Sequence, residues 1–153
     1  AMDWYYPVLA GVVTGEAGRA RLEARKTDFE MDDRGVRCVS DRPWITTAET
    51  CECAMAYLGL GHRQRAMELF ESILEYRSDD GRYLTGMVYP EEITFPEDER
   101  STYSAAAVIL AADALAQATP AAGLLADHHF LPDLMSLEND IALDADVDAP
   151  SLD

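Results

Sequence analysis

Two glutamates, Glu49 and Glu52, interrupt an otherwise apolar run from Ala48 to Leu60. Three residues apart on a helix, they share a face. A carboxyl group in apolar surroundings is the raw material of a general acid. Glu49 also has a structural reading, as the fourth member of a Thr46-x-x-Glu49 capping box. A second cluster lies in the segment from Tyr83 to Glu99. It offers Tyr83, Tyr89 and Phe95 with Glu91, Glu92, Glu97, Asp98 and Glu99. Trp44 and Tyr103 precede or begin apolar helical runs, which places them near the same mouth. Aromatic plates beside carboxylates suit a saccharide, and a pair of carboxylates can hydrolyse a glycosidic bond. The plain alternative is a solvated acidic loop pinned down by its aromatics. The candidate catalytic residues are therefore Glu49, Glu52, Glu91 and Glu92, and the candidate ligand-binding residues are Trp44, Tyr83, Tyr89 and Tyr103.

Other chemistry finds little support. There is no G-x-S-x-G nucleophile elbow and no glycine loop to cradle phosphate. Cys51 and Cys53 lie two apart on a helix, so they point about 200° away from each other and read as small core residues. His128 and His129 beside Asp127 fit the end of a helix. Asp144, Asp146 and Asp148 mimic the start of a calcium loop, but its glycine and its twelfth-position glutamate are missing. No metal and no cofactor is implied.

The elements that must position these residues are helices of two alternating kinds. Trp4 to Val13, Ala48 to Leu60 and Tyr103 to Leu115 are apolar nearly all round, as buried helices are. Glu16 to Phe29 and His62 to Arg77 are amphipathic. A repeat underlies the alternation. Gly15, Arg19, Ala20, Asp33 and Gly35 recur as Gly61, Arg65, Ala66, Asp79 and Gly81, always 46 residues on. Inner apolar helices followed by outer amphipathic ones predict two concentric layers. Gly61 is placed to end the second inner helix, Ser101 or Thr102 to cap the third, and Pro120 to open a third outer helix running to Asp127. Val36 to Val39 and Tyr83 to Tyr89 have the composition of short β segments.

Net charge is −17, from 29 acids against 12 bases. Such a surface argues against nucleic acid and anionic membranes. No run approaches the roughly 20 apolar residues of a membrane span. Three cysteines without a framework spacing fit reduced thiols in a cytoplasm. Ala1 before Met2 suggests a native start at Met2. Beyond Arg100 there is no Lys or Arg, and eight acids fall between Asp127 and Asp153. The expected division is a helical domain over 2–126 and an acidic tail over 127–153. Within the tail, Leu131, Leu134, Met135, Leu137 and Ile141 outline one short docking helix, and the rest has the composition of a disordered segment.

One resemblance follows from these residues. Trp44-Ile45-Thr46-Thr47-Ala48-Glu49-Thr50 at the start of a buried helix, Asp80-Gly81-Arg82-Tyr83-Leu84-Thr85-Gly86, Pro90-Glu91, and Ser101 to Ala107 together resemble the α/α toroids of the terpenoid-cyclase and prenyltransferase type. The resemblance covers about residues 4 to 126. It implies an all-α fold, with three antiparallel helix hairpins forming a partial ring and a concave mouth for an isoprenoid or a saccharide. Glycosidase-like activity is the enzymatic alternative, and a helical-repeat interaction scaffold is the other. An incomplete ring leaves both stack ends open. With Trp4, Tyr5, Tyr6, Pro7, Val8 and Leu9 at one of them, a homodimer is expected.

Overall fold

The computed structural model describes residues 1–127. Its first inner helix is α1 (Met2–Leu9), and the first outer helix is α2 (Gly15–Phe29). Two short strands follow, β1 (Glu30–Met31) and β2 (Gly35–Val36), and then β3 (Trp44–Thr46). The second pair is α3 (Thr47–Gly59) with α4 (Arg63–Ser72), which tightens into a 3₁₀ turn over Ile73–Tyr76. Strands β4 (Gly86–Val88) and β5 (Ile93–Phe95) precede the last helix, α5 (Thr102–Ala116).

The helices lie in two layers, but of the three apolar ones only α3 is buried nearly all round, since α1 exposes Tyr6 and α5 exposes Tyr103 and Ile109. α3 lies between α1 and α5, and α2 and α4 cover the outside. In α3 every residue from Thr50 to Tyr57 is buried, whereas α4 buries only Ala66 and Leu69. Close approach holds the layers together. A Cβ added at Gly18 of α2 would stand 2.8 Å from the Leu60 side chain and 3.1 Å from the Val13 carbonyl oxygen, so the glycine leaves α2 room to lie beside the end of α3.

The all-α expectation is corrected. Five strands among the described residues pair into two antiparallel sheets, one of β1 with β2 and one in the order β3-β4-β5. The fold is therefore mixed. β3 and β5 add partners to the expected β segment before α5, with Thr46 opposite Gly86 and Gly86 opposite Phe95. This sheet anchors the start of α3. The Thr47 amide donates to Thr85 O at 2.9 Å, and its hydroxyl donates to Leu84 O at 2.7 Å. From the side of β2, the Val36 amide donates to Thr50 Oγ1 at 2.9 Å.

Three local expectations also change. The Thr46–Glu49 capping box does not form, and the buried Thr46 hydroxyl has no partner, because the sheet already holds the first turn of α3. The segment expected as a third outer helix, 120–127, is a series of turns. The aromatic start of the chain is no exposed stack end, because Trp4, Tyr5, Val8 and Leu9 are all buried against α2 and α3. By contrast, the Ser101 side chain caps α5 by accepting from the Ser104 amide, and Gly61 takes a φ of 81° after α3. The tail expectations, including the docking helix, His128 with His129, and Asp144 with Asp146 and Asp148, lie outside the described residues. No helix among the described residues is long and apolar enough to cross a membrane.

Gly86 offers a direct test of the anchoring sheet. A Cβ there would stand 2.4 Å from the Ile45 carbonyl oxygen, and that backbone cannot move without breaking the ladder. Gly86→Ala is expected to cost at least about 1 kcal/mol in urea unfolding. An unchanged midpoint would show that the sheet bears no part of the stability.

Candidate functional site

Glu52 sits in the middle of α3 and is 9% exposed. A carboxylate buried this far needs donors from its own protein. The Tyr5 hydroxyl of α1 donates to Oε2 at 2.5 Å. The Tyr103 hydroxyl, from the first turn of α5, donates to Oε1. Tyr6 reaches the same oxygen at 3.4 Å, and its hydroxyl lies 3.5 Å from that of Tyr103. The three inner helices thus converge on one carboxylate. Tyr5 is fully buried, but Tyr6 and Tyr103 are 36% and 52% exposed. The site consequently has a dry side and a wet side, with Glu52 between them.

Burial, together with the nearby Glu52 charge, pushes the Tyr5 hydroxyl far above its ordinary range. Burial and the Glu52 hydrogen bond do the same for Tyr103. Both phenols therefore stay protonated near neutral pH and keep donating. Glu49 is half-buried on the same face of α3, one turn nearer the start of the helix. The structure thus brings Glu52 and Tyr103 together, with Glu49 one turn away on α3.

The remaining candidates lie elsewhere. Tyr89 is buried, shares a hydrogen bond of 3.1 Å with the Tyr76 hydroxyl, and carries the Arg34 guanidinium 4.7 Å over its ring. It is a packing residue with no free face for a ligand. Glu92 occupies a left-handed turn position between β4 and β5 and pairs with Arg34 at 3.8 Å, and Glu91 beside it is exposed. Neither shares a partner with Glu52. Trp44 stacks on Phe95 at 4.8 Å across the sheet. Tyr83 is half-buried in a bridge with Arg77.

A second buried carboxylate lies outside the sequence-based candidates. Glu30, at the end of α2, accepts from the Tyr57 hydroxyl at 2.5 Å and from Arg65 Nε at 3.0 Å, and Arg65 also pairs with Glu68. The repeat held one signal for it, since Arg65 is the counterpart of Arg19 in the outer helices. With an arginine on one side, this cluster is a closed ion pair that ties α2, α3 and α4 together. The Glu52 cluster has only hydroxyl donors. A concavity of about 490 Å³ is lined by Pro96, Glu97, Asp98 and Glu99, and two others are also apart from Glu52. One of about 410 Å³ is lined by residues including Arg19, Tyr57 and Arg65, and one of about 480 Å³ lies between α1 and α2. Cys51 and Cys53 are buried, and among the described residues no group of three or more His, Cys, Asp or Glu side chains is placed to hold a metal.

Comparison with known proteins corrects the resemblance drawn from the motifs. The chain is 49% identical over 124 residues to the MMP endo-(1,4)-3-O-methyl-alpha-D-mannosidase of Mycolicibacterium hassiacum. The match takes in 81% of this chain and 34% of the relative, so the chain spans about a third of that protein's length. No family model matches. The relative is a glycosidase and neither a prenyltransferase nor a terpenoid cyclase. The hydrogen-bond partners of Glu52 among the described residues are tyrosine hydroxyls.

The buried phenols predict an alkaline response. The pKa values of Tyr5, Tyr57 and Tyr76 are raised in the folded state, chiefly by burial. Their contribution to stability is complete below about pH 10, the ordinary tyrosine value, and falls as pH rises beyond it. Tyrosinate absorbance at 295 nm from these residues should therefore appear together with loss of helical circular dichroism. Full ionisation of all seven tyrosines with the helical signal intact would contradict the geometry.

Proposed function

We propose that this chain carries part of a saccharide-processing site of the glycoside hydrolase kind, centred on Glu52. One observation carries the reading: a single carboxylate on the buried inner helix is held by hydroxyls from both neighbouring inner helices, with its wet side flanked by two exposed tyrosines. The 49% identity to a mannosidase supports it. In this reading the substrate is an α-(1,4)-linked saccharide containing 3-O-methylmannose, as the name of the relative describes.

Hydrolysis of a glycosidic bond passes through an oxocarbenium-like state and uses two carboxyl groups. Glu52 supplies the fixed negative charge. Tyr5 and Tyr103 occupy its two oxygens from the sides, which fixes the side-chain rotamer before the sugar arrives. As positive charge develops at the anomeric carbon, a carboxylate held this way needs no reorganisation. Glu49, one turn away on the same face, is the partner carboxyl of this reading. Tyr6 and Tyr103 offer exposed aromatic faces to the apolar side of a sugar ring. Glu91, Glu92, Trp44, Tyr83 and Tyr89 have no part in it.

The test is hydrolysis and binding of 3-O-methylmannose α-(1,4)-oligosaccharides by the protein and its variants. Glu52→Gln is expected to lower turnover by about 10³-fold while leaving helical content and saccharide binding in place. Tyr103→Phe removes one donor and is expected to lower turnover by about 10-fold or more. Saccharide binding that survives loss of the Tyr6 and Tyr103 rings, or turnover that survives Glu52→Gln, would overturn the assignment.

A further inference from the structure

The outer layer holds a concavity that the Glu52 site does not use. Its volume of about 410 Å³ is within the range of small-molecule sites, and it lies between α2 and the start of α4. Its length comes from α2. Glu16, Arg19, Glu23 and Lys26 all line it, and these four positions follow one helical face over about 15 Å. Its floor is apolar, because Leu22, Leu60 and Tyr57 are buried beneath it. The result is an elongated trough with an apolar base and a charged rim.

Several rim groups are held in place before any ligand arrives. Arg65 donates to Glu30 at 3.0 Å and to Glu68 at 2.8 Å. Arg19 donates at 3.3 Å both to Leu60 O, just past the end of α3, and to His62 Nε2, and it pairs with Glu16 at 3.7 Å. The signs on the rim nearly balance. Arg19, Lys26 and Arg65 accompany Glu16 and Glu23, and Glu30 stands behind Arg65. A protein of net charge −17 repels anions, and a rim this mixed does little to offset that. A hydroxyl both donates and accepts, so cations interleaved with carboxylates fit a row of hydroxyls. The apolar floor fits the C–H face of a sugar ring.

We propose that this trough is a second saccharide site, which binds a neutral oligosaccharide along α2 and does not cleave it. Glu52 is not among its lining residues, and neither is Glu30, whose carboxylate is occupied by Tyr57 and Arg65. Other concavities fit a saccharide less well. In the one between α1 and α2, Arg21 is taken up by the carbonyls of Trp4 and Asp3. The one between α4 and α5 is apolar except for Arg63. Two sites on one chain would hold a long glycan at two points, which keeps it near Glu52 without any new contact there. The choice of sugar rests on the mannosidase reading above, whereas the trough itself rests on its lining.

Amide correlation spectra of the full chain test the proposal, with a neutral 3-O-methylmannose α-(1,4)-oligosaccharide as probe. Glu52→Gln serves as the background, so that the probe persists. The probe should shift the amides of Ala20, Glu23 and His62 as well as those around Glu52. Ala20→Trp, at an exposed position on the trough wall, should abolish the first set and leave the second. Lys26→Met should raise the Kd read from the first set by about 10-fold. Tyr6→Ala with Tyr103→Ala should abolish the second set alone. Shifts confined to the surroundings of Glu52 would overturn the trough and leave the proposed function standing. Shifts at the trough alone would do the reverse, and absence of both sets would overturn both. Trough shifts that survive Ala20→Trp would overturn the placement. Inorganic phosphate or citrate that reproduces the trough shifts at equal concentration would make it an anion site and overturn the saccharide assignment.

Discussion

Everything polar on α3 must be satisfied from within the protein, because this helix has almost no solvent face. That constraint organises the structure around it. Thr47 requires the Leu84 carbonyl, and Thr50 serves the Val36 amide, so a strand must approach from each side. Glu52 requires hydroxyl donors, and α1 and α5 bring them. The Tyr57 hydroxyl requires an acceptor, and the end of α2 brings Glu30. A buried charge left without its partners costs several kcal/mol, so these pairings bind the neighbouring elements to α3 as firmly as apolar contact does.

The sequence shows the helices well and the sheets poorly, for a physical reason. Apolar runs that extend over the 13 residues of α3 and the 15 of α5 are long enough to read as helices. Strands of two or three residues are too short for alternation to register. Trp44 to Thr46 in particular reads as the lead-in to a helix, although it is a strand whose partners come from beyond residue 85. The Thr46–Glu49 capping box is a local expectation that does not form, because Thr46 belongs to β3 and pairs with Gly86.

The candidate site was legible in one respect. A glutamate in an apolar helix is conspicuous, and Glu52 was marked for that reason. Its partners were not legible, since Tyr5 and Tyr103 stand 47 and 51 residues away along the chain. The partners of the aromatic loop were not legible either, because they come from elsewhere in the chain. Tyr89 satisfies Tyr76 and Arg34, and Glu92 satisfies Arg34. The motif from Trp44 to Thr50 describes a strand-to-helix junction. Junction residues report how the scaffold is assembled, and they carry no information about which bond is broken.

The two carboxylate clusters sit on either side of α3 and five residues apart along it, at Glu52 and Tyr57. This fixes the rotational phase of the helix. One residue inserted between them would turn everything downstream by about 100°. Tyr57 would then leave Glu30 while Glu52 kept its tyrosines. Change in length should therefore be tolerated in the turn after β5 or in the segment between β2 and β3, and excluded from the middle of α3. The helix acts as a keyed shaft, and its two keys must be cut in register.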